Sequence, residues 1–226
     1  MEYGGEYQSA NRLENLDGLE AKIITHLIDS KNQYAEDVWR LLKYADESAL
    51  SQKPLTREEK EALVFTGDNG APDATKAARV FLAPFVDDAW KEQGSSLYIC
   101  VSEICPLDRM NAEVVVNFEV IVHSQTSVVW GNGDPNLNPH ANPNDSDAEG
   151  NLVVSVKNRA TALMKDIIAE FNGLYLDGVG YLYLNDGKKA KGGVKIALWN
   201  KGSFYGHRIS MVLGMSGVSE NPRIGY

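Results

Sequence analysis

The chain has 226 residues, 43% hydrophobic and 23% charged, enough to bury a sizeable core in one domain or in one domain with a smaller helical part. Its 31 acidic residues outnumber 22 basic ones, for a formal net charge of −9, which argues against a surface built to grip phosphate backbones. No apolar run approaches the roughly 20 residues that span a bilayer, and Met1 opens a polar stretch without a signal pattern, so cytoplasmic synthesis and no membrane contact are expected.

Residues 1–15, with Gly4, Gly5 and Asn11 among charged neighbours, read as a loose terminus. Leu16, Leu19, Ile23, Leu27 and Ile28 recur at helical spacing, and Val38, Leu41, Leu42 and Ala45 suggest a second helix. Pro54 stops what precedes it, and Thr56 with Glu59 forms a capping-box pattern that starts a third helix, closed by Gly67 and Gly70. Residues 1–75 are thus expected to form an N-terminal helical region and 76–226 an α+β domain. In that domain Arg79 to Phe85 reads as a short strand or strap, ended by Pro84.

Leu97, Ile99 and Val101 share one face of a strand, and Pro106 to Asn111 supplies a turn. Glu113 to His123 then alternates cleanly. Val114, Val116, Phe118, Val120 and Val122 fall on one face, and Glu113, Asn117, Glu119 and His123 on the other, the pattern of a half-buried strand. Cys100 and Cys105, five apart, are expected to face opposite ways and to stay reduced.

Ser124 to Asn151 is rich in Asn, Pro, Asp and Gly and nearly devoid of apolar residues after Trp130, so it cannot form a core. Loops beyond about 12–15 residues in compact domains tend to be functional or disordered, which makes this one the leading candidate for a partner-contacting arm. A helix is expected from Val156 to Phe171, because Val156, Ala160, Leu163, Ile167 and Phe171 recur at spacings of three and four. Strands at Val179 to Leu184, Val194 to Trp199 and Arg208 to Met215 follow. The fold class is therefore α+β, a mostly antiparallel sheet with one amphipathic helix on its apolar face. Lys188, Lys189 and Lys191, set among Gly187, Gly192 and Gly193, read as a solvated hairpin tip.

Motifs for chemistry are absent. Asp145, Asp147, Glu149 and Gly150 imitate the start of a calcium loop, but Val156 stands where a bidentate Glu is required and no helix enters from the Pro-rich side. His26, His123, His140 and His207 are scattered, and no CxxC anchors a zinc site. Nucleophile-elbow, Walker and dinucleotide patterns are missing. Gly178 and Gly180 give backbone freedom on the way into a strand, and Asp87 and Asp88 diverge in direction as a solvated helix start. No metal, cofactor or catalytic residue is expected. The candidate partner contacts are Trp130, Asp134, Asp145 and Asp147, with Trp130 either anchoring the arm on a partner or capping the core of its own hairpin.

The phrases Leu41-Leu42-Lys43-Tyr44, Pro54-Leu55-Thr56, Arg79-Val80-Phe81 with Pro84-Phe85, and Leu97-Tyr98-Ile99 sit in an order of elements that resembles the neck and tail-completion proteins of tailed bacteriophages, particularly the tail-terminator group. The resemblance covers roughly residues 35 to 215. It implies a non-enzymatic virion protein at the neck, a homo-oligomeric ring that contacts portal, connector or tail-tube proteins, with double-stranded DNA passing through and only weakly touched. The N-terminal helices and the acidic loop depart from compact tail terminators, leaving open whether such a subunit caps a tail tube or sits on the portal. The alternative is a monomeric module that holds a peptide or glycan with the 124–151 loop. A hydrolase assembled from distant carboxylates is a third reading.

Overall fold

The structure, a computed structural model, describes residues 16, 18–67, 77–83, 94–107, 111–130, 156–177, 179–184, 192–196, 200–201 and 203–216. Among them the chain is α+β. Helices α1 (Leu19–Asp29), α2 (Gln33–Lys43) and α3 (Arg57–Glu61) precede strands β1 (Val64–Phe65), β2 (Val80–Phe81), β3 (Ser95–Pro106) and β4 (Asn111–His123). The short strands β5 (Val128–Trp130) and β6 (Val156–Asn158) lead to α4 (Arg159–Phe171). Five strands end the described chain: β7 (Leu174–Leu176), β8 (Gly180–Tyr183), β9 (Gly193–Lys195), β10 (Asn200–Lys201) and β11 (Phe204–Ser216).

The main sheet runs β1-β2-β3-β4-β11-β8-β7, with β9 and β10 also paired to β11. Its spine is β4, antiparallel to β3 on one side and to β11 on the other. The β4–β11 register is unbroken from Phe204 opposite His123 to Ser216 opposite Asn111. Among the described strands only the β1–β2–β3 edge is parallel. One face carries Val114, Val116, Phe118, Val120 and Val122 of β4 beside Ile209, Met211 and Leu213 of β11, all buried. Helices α1, α2 and α4 pack there through Ile23 and Leu27, Val38 and Leu42, and Leu163, Ile167 and Phe171. This cluster runs from Leu19 to Met215, so the packing crosses the 75/76 boundary without a break among the described residues. Trp39 is fully buried and donates from Nε1 to the Leu27 carbonyl at 2.9 Å, which ties α2 to the end of α1.

Several expectations change in detail. The side of β4 expected to be polar and wet is buried as well: Glu113, Asn117 and Glu119 are each at most 6% exposed. A strand flanked on both edges can bury such groups when neighbours satisfy them. Ser210 Oγ donates to Asn117 Oδ1 at 2.7 Å, and Arg208 Nε donates to Glu119 Oε1 at 2.6 Å. Cys100 and Cys105 are free, as expected, but a register shift between Val101 and Glu103 sets them opposite Asn117 and Glu113, on the same face rather than opposite ones.

The third helix has its full capping box but ends by Ala62. There the Leu63 carbonyl accepts from the amides of Arg79 and Val80 at 2.7 and 3.0 Å, drawing the chain into the sheet edge well before Gly67. Val156 belongs to a strand, and α4 starts only at Arg159, because the Asn158 side chain accepts from the Thr161 amide at 3.1 Å and caps the helix. Gly173, at φ 86, turns the chain from α4 into β7. Gly180, at φ 145, lies so near β11 that a Cβ would stand 2.2 Å from the Gly214 carbonyl oxygen. β11 begins at Phe204, four residues earlier than the apolar alternation suggests; β10 pairs with it and β7 with β8, two strands that sequence alone does not mark.

The core makes a direct prediction. Phe118 is fully buried with its ring centroid 4.9 Å from that of Phe171. Phe118→Ala should cost about 3–5 kcal/mol in urea unfolding, whereas Ile104→Ala, on the exposed half of β3, should cost less than about 1 kcal/mol.

Candidate functional site

The polar stretch after β4 is more ordered at its ends than its composition suggests. Ser124–Thr126 forms a 3-10 turn, in which His123 Nδ1 accepts from the Gln125 amide at 3.2 Å and Thr126 Oγ1 donates to the His123 carbonyl at 3.0 Å. β5 then pairs antiparallel with β6, Val128 opposite Asn158 and Trp130 opposite Val156. The 25 residues 131–155 are therefore tethered at both ends to one two-stranded base. Trp130 lies at the last described pair of that base. Asp134, Asp145 and Asp147 lie outside the described residues.

The base is locked by Arg159, which sequence reading passed over. Its side chain is completely buried, and its guanidinium donates only to main-chain carbonyls. Nε reaches Thr126 at 2.6 Å, Nη1 reaches Leu41 at 3.0 Å and Tyr44 at 2.6 Å, and Nη2 reaches Ala45 at 3.1 Å and also Asp46. All five N–H donors are used. Four acceptors belong to the end of α2 and the residues that follow it, where unpaired carbonyls and the negative end of the helix dipole favour a cation. Burial pulls the Arg159 pKa down to about 10, against the opposing charges of Asp46 and Tyr205, so the group stays cationic at neutral pH. The Arg159 amide also donates to the Ser127 carbonyl at 2.7 Å, which completes the clamp on the base. The signal in the sequence was a charged residue inside the apolar stripe of α4, four positions before Leu163.

Two more ionisable residues of α4 share that inward stripe. Glu170 accepts from His26 Nε2 at 2.9 Å. Burial pushes its carboxyl up, but hydrogen bonds from His26 and Ser30 and the charges of His26 and Lys60 outweigh that and leave it below the usual range. Imidazole and hydroxyl both meet the carboxylate, so the imidazole is not placed to take the hydroxyl's proton as a nucleophile–base pair requires. Asp166 differs: burial first, then the charge of Asp37 on α2, raise its pKa to about 7, against the lowering effect of Lys157 and Lys165. Asp37 is itself held by Arg40 at 2.9 Å. His207, also buried, is pushed down by burial and lies 3.4 Å from Thr161 Oγ1. Among the described residues no group of three or more His, Cys, Asp or Glu side chains is arranged to hold a metal ion. What the arrangement does is hold the two ends of a long polar segment rigidly on the α2–α4 layer.

Two substitutions test this layer. Arg159→Lys keeps the charge but cannot span five carbonyls, and should cost about 3–5 kcal/mol by leaving buried acceptors unpaired. Asp166 has a folded pKa raised from 3.8 to about 7. Its contribution is therefore most favourable below about pH 4 and is lost as pH rises toward 7. Asp166→Asn should raise the urea midpoint relative to wild type at pH 8 and leave it little changed at pH 4; an equal shift at both values would contradict the burial of this carboxyl. Comparisons with protein-family models, with curated proteins and with solved structures found no match to this chain.

Proposed function

We propose that the chain is a structural subunit of a tailed-bacteriophage neck, tail-terminator-like, whose copies join in a ring between portal and tail and which has no enzymatic role. The observation that supports this reading most is the tethered segment. The 25 residues 131–155, of which 131–150 carry almost no apolar side chains, leave from a base fixed by the β5–β6 pair and by Arg159. A long polar segment whose base is held by the buried Arg159 side chain is suited to order on a neighbour. The long β3–β4 hairpin adds apolar contact area, since Ile104 and Leu107 near its tip are 41% and 39% exposed.

In this role the neighbours are further copies and the portal, connector or tail-tube proteins, and the site of action is the neck of the virion. A net charge of −9 keeps passing DNA from gripping the protein, because each tight phosphate contact would add friction.

Deletion of Gly131 to Gly150 separates fold from assembly. It removes few apolar side chains and alters loop-closure entropy by only about 1–2 kcal/mol, so the circular dichroism spectrum and melting temperature should change little. The shortened protein should fail to enter particles. An unfolded deletion variant would make the segment structural, and normal incorporation would make it a passive linker.

A further inference from the structure

The face of the sheet opposite the helices carries a row of tyrosines at its β7–β8 edge. Tyr175 and Tyr181 are cross-strand partners, and Tyr183 follows two residues along β8, so all three project to the side of Val212 rather than that of Leu213. Their ring centroids step by 4.9 Å from Tyr175 to Tyr181 and by 6.0 Å from Tyr181 to Tyr183. Tyr175 and Tyr181 are 53% and 51% exposed, although their strand neighbours Leu176 and Leu182 are buried. Lys195 is exposed on the same face, opposite Arg208. Helices α1, α2 and α4 pack on the other face.

We infer that this tyrosine row is the docking site for segment 131–155 of a second copy of the chain. The inference rests on the ring reading above and names its contact. Two features of the chain select the occupant. The segment carries Pro135, Pro139 and Pro143, and proline-rich stretches dock on exposed aromatic rows because their rings stack on aromatic faces at low entropic cost. The segment also holds Asp134, Asp145, Asp147 and Glu149 with no Lys or Arg, while the docking face presents Lys195.

The base of the segment and the tyrosine row lie on opposite faces of the sheet. The base of the segment belongs to the helix side, where Arg159 clamps it to α2 and the Tyr205 hydroxyl donates to the Ser127 carbonyl at 3.5 Å. The tyrosines are on the opposite side and about seven residues further along β11, near Val212. Two unlike patches on opposite faces make a heterologous contact, which closes into a ring when repeated around an axis.

The test is photo-crosslinking of the full chain with p-benzoylphenylalanine in place of Tyr181, in an equal mixture of nitrogen-15-labelled and unlabelled copies at a concentration where the chain assembles. The expected result is crosslinks from position 181 to residues 131–155 that join heavy to light chains, and their loss together with assembly in a Tyr175→Ser variant that keeps its circular dichroism spectrum. Crosslinks confined to one copy would overturn the inference by showing self-docking. Assembly with crosslinks only elsewhere would overturn it while leaving the ring reading intact. A chain that remains monomeric at every concentration would overturn both.

Discussion

A single buried guanidinium sets the relation between the two halves of this molecule. Arg159 begins α4, where its charge is unwelcome to that helix's own dipole, and it is stable there because the carbonyls at the end of α2 and the Thr126 carbonyl surround it. A cation so placed fixes several elements at once: the exit of α2, the 3-10 turn after β4, the β5–β6 base and the start of α4. Removing any of them leaves buried donors or acceptors unpaired, at about 1–3 kcal/mol each. The helical layer and the sheet are thus coupled through main-chain carbonyls as well as through apolar packing.

The sheet around that clamp is unequal on its two faces. One side is closed by α1, α2 and α4 over a continuous apolar cluster. The other carries polar groups satisfied across the strands, such as Arg208 with Glu119 and Ser210 with Asn117, two smaller buried apolar clusters around Phe81 and Tyr98 and around Val115 and Val212, and the aromatic row of Tyr175, Tyr181 and Tyr183 at one edge. The tethered segment leaves from the first side. An asymmetry of this kind gives the chain two different surfaces, as the proposed head-to-tail ring requires.

Much of the fold was legible in the sequence, for physical reasons that single out particular residues. The alternation from Val114 to Val122 marks the central strand because a period of two has no other cheap explanation. Thr56 and Glu59 name a helix start because two unpaired amides need those two side chains. Other features depend on partners far away in the chain. That Glu113, Asn117 and Glu119 are buried follows only once β11 is known to lie alongside. The register shift near Ser102, which turns Cys105 to the side of Cys100, leaves no local mark. The false helical start at Val156 came from following apolar spacing past Asn158, a capping residue that periodicity ignores. Of the candidate site, the long segment was visible by composition, but its anchor was not. Arg159 interrupts an apolar stripe, and an interruption of that kind is the signal to look for. Its acceptors, being main-chain carbonyls, are invisible in any sequence.

The central claim is that this chain is a part of a ring at the junction of head and tail. Electron cryomicroscopy of the virion, with the chain located in the map, tests it most directly. The account predicts a closed ring of copies around the DNA channel, each with density for residues 131–155 reaching the sheet of the next. A chain present as a solitary copy, or absent from the particle, would contradict it.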